Sequence, residues 1–137
     1  MDIKIINFPK IEDKAGNLSF FETNAQVPFE IKRTYWIYDV PGGECRGGHA
    51  FRQQQEVIVA LSGSFEVVLH NGKEEQRFQL NRSYYGLYVP NKIWRSLENF
   101  STNSLALIVS DMEFLEADYI RDFSDFQKLK DNENISL

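Results

Sequence analysis

The chain has 137 residues, of which 42% are hydrophobic, 14% aromatic and 26% charged, with a net charge of −5. That length suits one domain with its own core and is short for two, and the acidic balance excludes nucleic acid as the main partner, since phosphate binding shows as a basic excess or stripe. A single cysteine, Cys45, excludes an intrachain disulfide, and no run approaches the roughly 20 apolar residues of a membrane span, so a soluble, cytoplasmic protein is expected.

Residues 3–8 read as a strand stopped by Pro9, and residues 18–22 as a second one after the turn-prone Lys14-Ala15-Gly16-Asn17. Over residues 31–39 the alternation places Ile31, Arg33, Tyr35 and Ile37 on one face and Lys32, Thr34, Trp36 and Tyr38 on the other. Pro41-Gly42-Gly43 breaks that strand and leads into Arg46-Gly47-Gly48-His49-Ala50-Phe51, where His49 and Phe51 project to the same side, as one wall of a barrel interior. The β-branched run at residues 57–61 is short and bounded by turn signals, which fits a buried strand. Residues 64–70 and 73–78 form a predicted hairpin around Asn71-Gly72, a pair suited to a type I′ turn. Further strands are predicted at residues 84–89, ending at Pro90, at 93–98 and at 104–110.

Many short strands at close intervals point to a sandwich or barrel, so the fold class is all-β. Residues 113–129 hold the one helix candidate, with Tyr119, Phe123 and Phe126 three or four apart, and residues 131–137 are expected to fray. With no repeat or linker, residues 1–137 read as one domain.

Two spacings carry chemistry. Cupin barrels use a first motif G-x5-H-x-H-x3-4-E-x6-G and a second motif G-x5-P-x-G-x2-H-x3-N, and this chain resembles both. His49, Phe51, Glu56 and Gly63 stand at positions of the first motif, and Pro90, Lys92, Arg95 and Asn99 at those of the second, with Gly86 slightly closer to the proline. The resemblance implies an RmlC-like cupin jelly-roll β-barrel with a short C-terminal helical segment. Phe51 and Arg95 replace two of the donors that hold a metal in metallo-cupins, and a guanidinium repels a cation, so the site is read as metal-free and without a cofactor.

Arg46-Gly47-Gly48-His49-Ala50, Ala60-Leu61-Ser62-Gly63-Ser64, Gly86-Leu87-Tyr88-Val89-Pro90 with Ile93-Trp94, and Asp118-Tyr119-Ile120-Arg121-Asp122-Phe123 are similar to the sugar-nucleotide 3,4-ketoisomerases. That resemblance covers roughly residues 3–128. It implies a cytoplasmic homodimer with exchanged N-terminal strands that acts on dTDP-4-keto-6-deoxyglucose in deoxyamino-sugar synthesis for surface polysaccharide. The family's His-Ala-His-Lys stands here as His49-Ala50-Phe51-Arg52, so its first histidine carries over and its second does not. Arginine at position 95, where some members have histidine, is associated with the gluco configuration at C4.

Moving a carbonyl from C4 to C3 requires a base that removes the C3 proton and returns one to C4 through an enediol. Histidine suits that task, and His49 is the candidate catalytic base. Arg95 or Arg52 is a candidate for stabilising the enediolate oxygen, and Arg33, Arg46 and Arg52 for pairing with the pyrophosphate. Tyr35 or Trp36 is expected to stack on the base or sugar. Against these stand plainer readings: Glu56 hydrogen-bonded within the barrel, Phe51 filling space, His70 exposed, Cys45 inert, the arginines solvated, and the C-terminal aromatics packing rather than binding. The alternative function is a catalytically impaired sugar-nucleotide-binding cupin that regulates or partners a neighbouring enzyme.

Overall fold

The computed structural model describes residues 2–135 and has the expected all-β jelly roll with one short C-terminal helix. In chain order the strands are β1 (Lys4–Asn7), β2 (Lys10–Ile11), β3 (Leu18–Ser19), β4 (Arg33–Tyr38), β5 (Arg46–Phe51), β6 (Glu56–Ser62), β7 (Phe65–His70), β8 (Glu75–Leu80), β9 (Tyr85–Val89), β10 (Trp94–Glu98), β11 (Leu105–Ser110) and β12 (Tyr119–Ile120). One five-stranded sheet runs β1-β9-β6-β11-β4 and a second runs β12-β5-β10-β7-β8. The core between them contains Ile58, Phe65, Leu69, Leu80, Leu87, Leu97 and Ile108, all fully buried.

β6 is buried on both faces, which is why it reads as an unbroken apolar run rather than an alternation. Ile58 and Ala60 enter the central core, while Val57 and Val59 pack outward against Phe8, Val27 and Phe29, contributed by the N-terminal segment. β4 alternates as predicted, with Arg33, Tyr35 and Ile37 half-buried and Thr34, Trp36 and Tyr38 exposed.

Three local expectations are corrected. Only Leu18–Ser19 of the predicted 18–22 strand pairs, with Lys10–Ile11 in a separate ribbon. The β7–β8 hairpin closes at His70↔Glu75 around the four residues 71–74, not a two-residue turn. There Asn71 Oδ1 accepts the backbone N–H groups of Lys73 and Glu74, both at 2.9 Å, and Gly72 alone of that loop takes a positive φ, +96°. The 113–129 helix candidate resolves into a 3₁₀ turn at Glu116–Asp118, then β12, then α1 (Phe123–Ile135).

Asp122 sets the start of α1, because its Oδ1 accepts the N–H groups of Ser124 at 2.8 Å and Asp125 at 3.1 Å as an N-cap. The helix continues through residues 131–135, where fraying was expected; residues 136–137 lie outside the described ones. Phe126 and Leu129 dock on Ala50, Trp94 and Ile120 and cover the outer face of the second sheet. His70, expected to be exposed, is half-buried there, with its ring edge-on to Phe123 at 5.2 Å. No helix among the described residues is long and apolar enough to cross a membrane.

Candidate active site

β5 and β10 lie side by side, and their register sets His49 directly opposite Arg95. The next pair is Leu97 with Arg46, so β5 carries one residue more than β10 between the two pairs. That is a bulge, and the glycine pair forms it: Gly47 holds φ +73°, a conformation L side chains rarely adopt. A Cβ at Gly47 would also collide with Arg95 Nη1. Gly47-Gly48 therefore re-aims the strand and keeps open the space where His49 and Arg95 meet.

Beyond β5 the chain turns through Gln53-Gln54-Gln55, and two aspartates hold that turn. Buried Asp118 accepts the backbone N–H groups of Gln53 at 2.8 Å and Gln54 at 3.0 Å, and Asp111 accepts those of the Gln55 backbone and side chain, both at 3.0 Å. The Asp-Tyr-Ile-Arg segment thus has a structural first member: Asp118 fastens the turn while Tyr119 and Ile120 pair with Phe51 and Ala50.

Arg95 is 1% exposed and so is its counter-ion Glu56. Its Nε donates to Glu56 Oε1 at 2.7 Å, and its Nη2 donates to Tyr35 Oη at 2.8 Å and Glu56 Oε2 at 3.3 Å. The Tyr35 hydroxyl in turn donates to Glu56 Oε2, which Gln54 Nε2 also reaches at 3.3 Å. Burial works against the charged guanidinium, but Glu56 and Tyr35 outweigh it and hold Arg95 above its ordinary pKa. Burial also raises the Tyr35 phenol, against Arg95 and together with Glu56. Both oxygens of Glu56 are engaged by this network, and no three His, Cys, Asp or Glu side chains converge among the described residues. The residues present do not fit the metal of a metallo-cupin.

Three buried nitrogens make no hydrogen bond among the described residues: Arg33 Nε, His49 Nε2 and Arg95 Nη1. The last two belong to residues that face each other on β5 and β10. A neutral imidazole nitrogen can accept a proton and a guanidinium N–H can donate, so the pair offers a base beside an anion-stabilising donor. Burial, then Arg95, Arg121 and Arg33, push the His49 pKa down to about 2. The imidazole is accordingly neutral at physiological pH, the form a general base requires.

His49 and Arg95 line a cleft of about 420 Å³ together with Tyr35, Trp36, Arg46, Tyr119 and Arg121. Of the residues singled out in the sequence, the structure brings His49, Tyr35, Trp36, Arg46 and Arg95 to one cleft. Arg33 sits just behind it, donating to Tyr119 Oη at 3.0 Å with its guanidinium 4.6 Å from the Tyr35 ring centroid. Arg52 is exposed and does not line the cleft, because it lies past the end of β5 in the outward turn. The sequence reading missed Tyr119 and Arg121, both in a segment taken for helix and packing. Arg121 lies 4.2 Å from the Tyr119 ring centroid and pairs with Glu116 at 2.7 and 3.0 Å. Phe51 is 4% exposed, its ring 4.7 Å from both His49 and Tyr119, and fills space as expected.

The family model described as FdtA, WxcM-like, C-terminal, matches residues 1–131. A TDP-4-oxo-6-deoxy-alpha-D-glucose-3,4-oxoisomerase of Aneurinibacillus thermoaerophilus is 39% identical over 128 residues, 93% of this chain and 92% of that protein. The crystal structure of a 3,4-ketoisomerase from Helicobacter canadensis superposes with a TM-score of 0.93 at 37% identity, covering 96% of this chain and 98% of the other. QdtA, a sugar 3,4-ketoisomerase from Thermoanaerobacterium thermosaccharolyticum solved in complex with TDP, superposes with a TM-score of 0.94 at 30% identity, covering 96% of each chain.

Proposed function

Since this chain belongs to the FdtA family, we propose that it is an isomerase that moves the keto group of dTDP-4-keto-6-deoxyglucose from C4 to C3, working as one cupin domain. The observation that carries the reading is the pair of buried, unpartnered nitrogens, His49 Nε2 and Arg95 Nη1, on facing strands at the cleft.

His49 Nε2 takes the C3 proton as the C3–H electron pair forms the C3=C4 double bond and the C4 carbonyl oxygen becomes anionic. Arg95 Nη1, already oriented by Glu56 and Tyr35, hydrogen-bonds that oxygen without reorganising. The imidazolium then returns the proton to C4, while the O3 hydroxyl gives up its proton to become the C3 carbonyl and O4 gains one to become the C4 hydroxyl. Arg46 and Arg121 at the cleft mouth suit the pyrophosphate, and exposed Trp36 or neighbouring Tyr35 suits stacking on the thymine or sugar. Substrate binding also acts on the low basicity of the free site. Burial and Arg95 are the larger causes of that low basicity, and pyrophosphate charge at Arg121 offsets the smaller repulsion which that guanidinium exerts on the imidazolium, a change in the direction of a higher His49 pKa.

The reading includes a homodimer with exchanged N-terminal strands. β1 pairs here with β9 of its own chain, Lys4↔Tyr88 to Asn7↔Tyr85, and a partner's β1 would take the same register on the same edge. It also includes a cytoplasmic place in deoxyamino-sugar synthesis for surface polysaccharide, because a 3-keto sugar has the electrophilic carbon that a transaminase attacks.

The test is solvent exchange and isomerisation of dTDP-4-keto-6-deoxyglucose followed by NMR in D₂O. The natural chain is expected to place deuterium at C3 or C4 and to form the 3-keto sugar. His49→Asn is expected to bind TDP unchanged and to lose the reaction by about 10²-fold or more. Binding with no exchange by the natural chain would leave only a sugar-nucleotide-binding cupin, and turnover indifferent to His49→Asn would mean another base.

A further inference from the structure

The isomerisation moves two kinds of proton, one between carbons and one between oxygens. His49 accounts for the first, but the oxygen-bound proton must leave O3 and appear on O4. A single imidazole already carrying the carbon proton cannot carry the second at the same time. The cleft offers few other groups that both give and take a proton. The arginines are permanently protonated and the Trp36 indole only donates. Tyr35 is already committed, donating to Glu56 and accepting from Arg95.

Tyr119 is placed differently. β12 pairs it with Phe51, which sets its ring 5.0 Å from that of His49 on the wall of the same cleft. Its oxygen accepts from Arg33 Nη2 at 3.0 Å, while its own O–H proton is given to no acceptor among the described residues. A hydroxyl has one donor and two acceptor sites, so one donor and one lone pair remain available to a bound sugar. Arg33 beside the oxygen stabilises the negative charge that a departing proton leaves behind.

We propose that Tyr119 is a second catalytic residue, an oxygen-to-oxygen proton shuttle for the isomerisation. The phenol gives its proton to O4 as charge develops there on removal of the C3 proton. The phenolate, held by Arg33, then takes the O3 proton as C4 is protonated. Protons and electron pairs balance, and Tyr119 ends as it began. This inference rests on the activity proposed above.

The test compares Tyr119→Phe with the natural chain on dTDP-4-keto-6-deoxyglucose in D₂O, measuring deuterium at C3 of recovered substrate, formation of the 3-keto sugar, TDP affinity and thermal midpoint. The variant retains the ring and is expected to keep its fold and TDP affinity. Its isomerisation should fall by about 10²-fold or more, while exchange at C3 falls less than about 10-fold. The enediolate still forms at His49 and Arg95 but returns to substrate because the oxygen proton is not relayed. Natural isomerisation in the variant overturns the shuttle. A proportional loss of exchange and isomerisation also overturns it, leaving Tyr119 a group that positions His49. A natural chain that neither exchanges nor isomerises sinks the activity itself, and the shuttle with it.

Discussion

At the scale of single residues, His49 couples the site to acidity. Its folded pKa lies near 2 and its unfolded value near 6.5, so between those values the unfolded chain binds a proton that the folded chain refuses. Stability then rises with pH across that window and falls as the solution is acidified below about 6.5, by up to about 1.4 kcal/mol per pH unit. Replacing His49 with Asn removes the group and keeps a polar side chain. Denaturation midpoints measured from pH 7 to pH 5 are expected to drop more steeply for the natural chain than for His49→Asn, since the two chains differ in that one group. Parallel slopes would show that the imidazole is not held neutral. Beside it, the Arg95–Glu56 pair is poor evidence of stabilisation, because burying two charges costs as much as their attraction returns. Its effect is directional: Glu56 and Tyr35 fix the guanidinium so that one N–H is left for the cleft.

At the scale of elements, the site depends on the turn after β5 and the strand that fastens it. Asp118→Ala removes the acceptor of two backbone N–H groups, at about 1–3 kcal/mol for each one left unsatisfied, and loosens Tyr119 from Phe51. We expect the unfolding free energy measured by urea titration to fall by about 2–6 kcal/mol, with a smaller loss for Asp118→Asn, which keeps one carbonyl oxygen. An alanine variant as stable as the natural chain would show that solvent satisfies the turn. What could be read from sequence here was whatever a strand's two-residue period controls: the two faces of β4, the shared face of His49 and Phe51, the buried run of β6. The partnership of Glu56 with Arg95 spans 39 positions and depends on which strands neighbour each other, which periodicity does not encode. Tyr119 and Arg121 stood in the stretch that carried the family resemblance but were not placed at the site, because Tyr119 shares a helical spacing with Phe123 and Phe126, while pairing with β5 drew Tyr119 and Ile120 into a strand. The Asp122 cap was a visible signal that the helix starts later, and the four-residue hairpin loop shows Asn71 favouring its own Asx-type hydrogen bonds over the turn its Gly neighbour permits.

At the scale of the whole molecule, the outer face of the first sheet is only partly covered. Residues of the N-terminal segment pack on Val57, Val59 and Val109, but Trp36, Tyr38 and Leu61 remain 58%, 62% and 43% exposed around a groove shared with Leu105 and Leu107. The exchanged dimer proposed above would give that apolar area a partner to pack on, and light scattering is then expected to report about twice the 16.0 kDa chain mass. Exchange itself has a sharper test. Lys4 and Tyr88 are cross-strand partners, with the lysine ammonium 5.5 Å from the tyrosine ring centroid, so cysteines at both positions meet on one face. With Cys45 replaced by Ser, the Lys4→Cys, Tyr88→Cys protein is oxidised and run on a non-reducing denaturing gel. If β1 crosses to the partner, each bond joins two chains and the band runs at dimer mass. If β1 stays on its own β9, the bond closes within one chain, and an oxidised band at monomer mass from a dimer in solution would retain the dimer and discard the exchange.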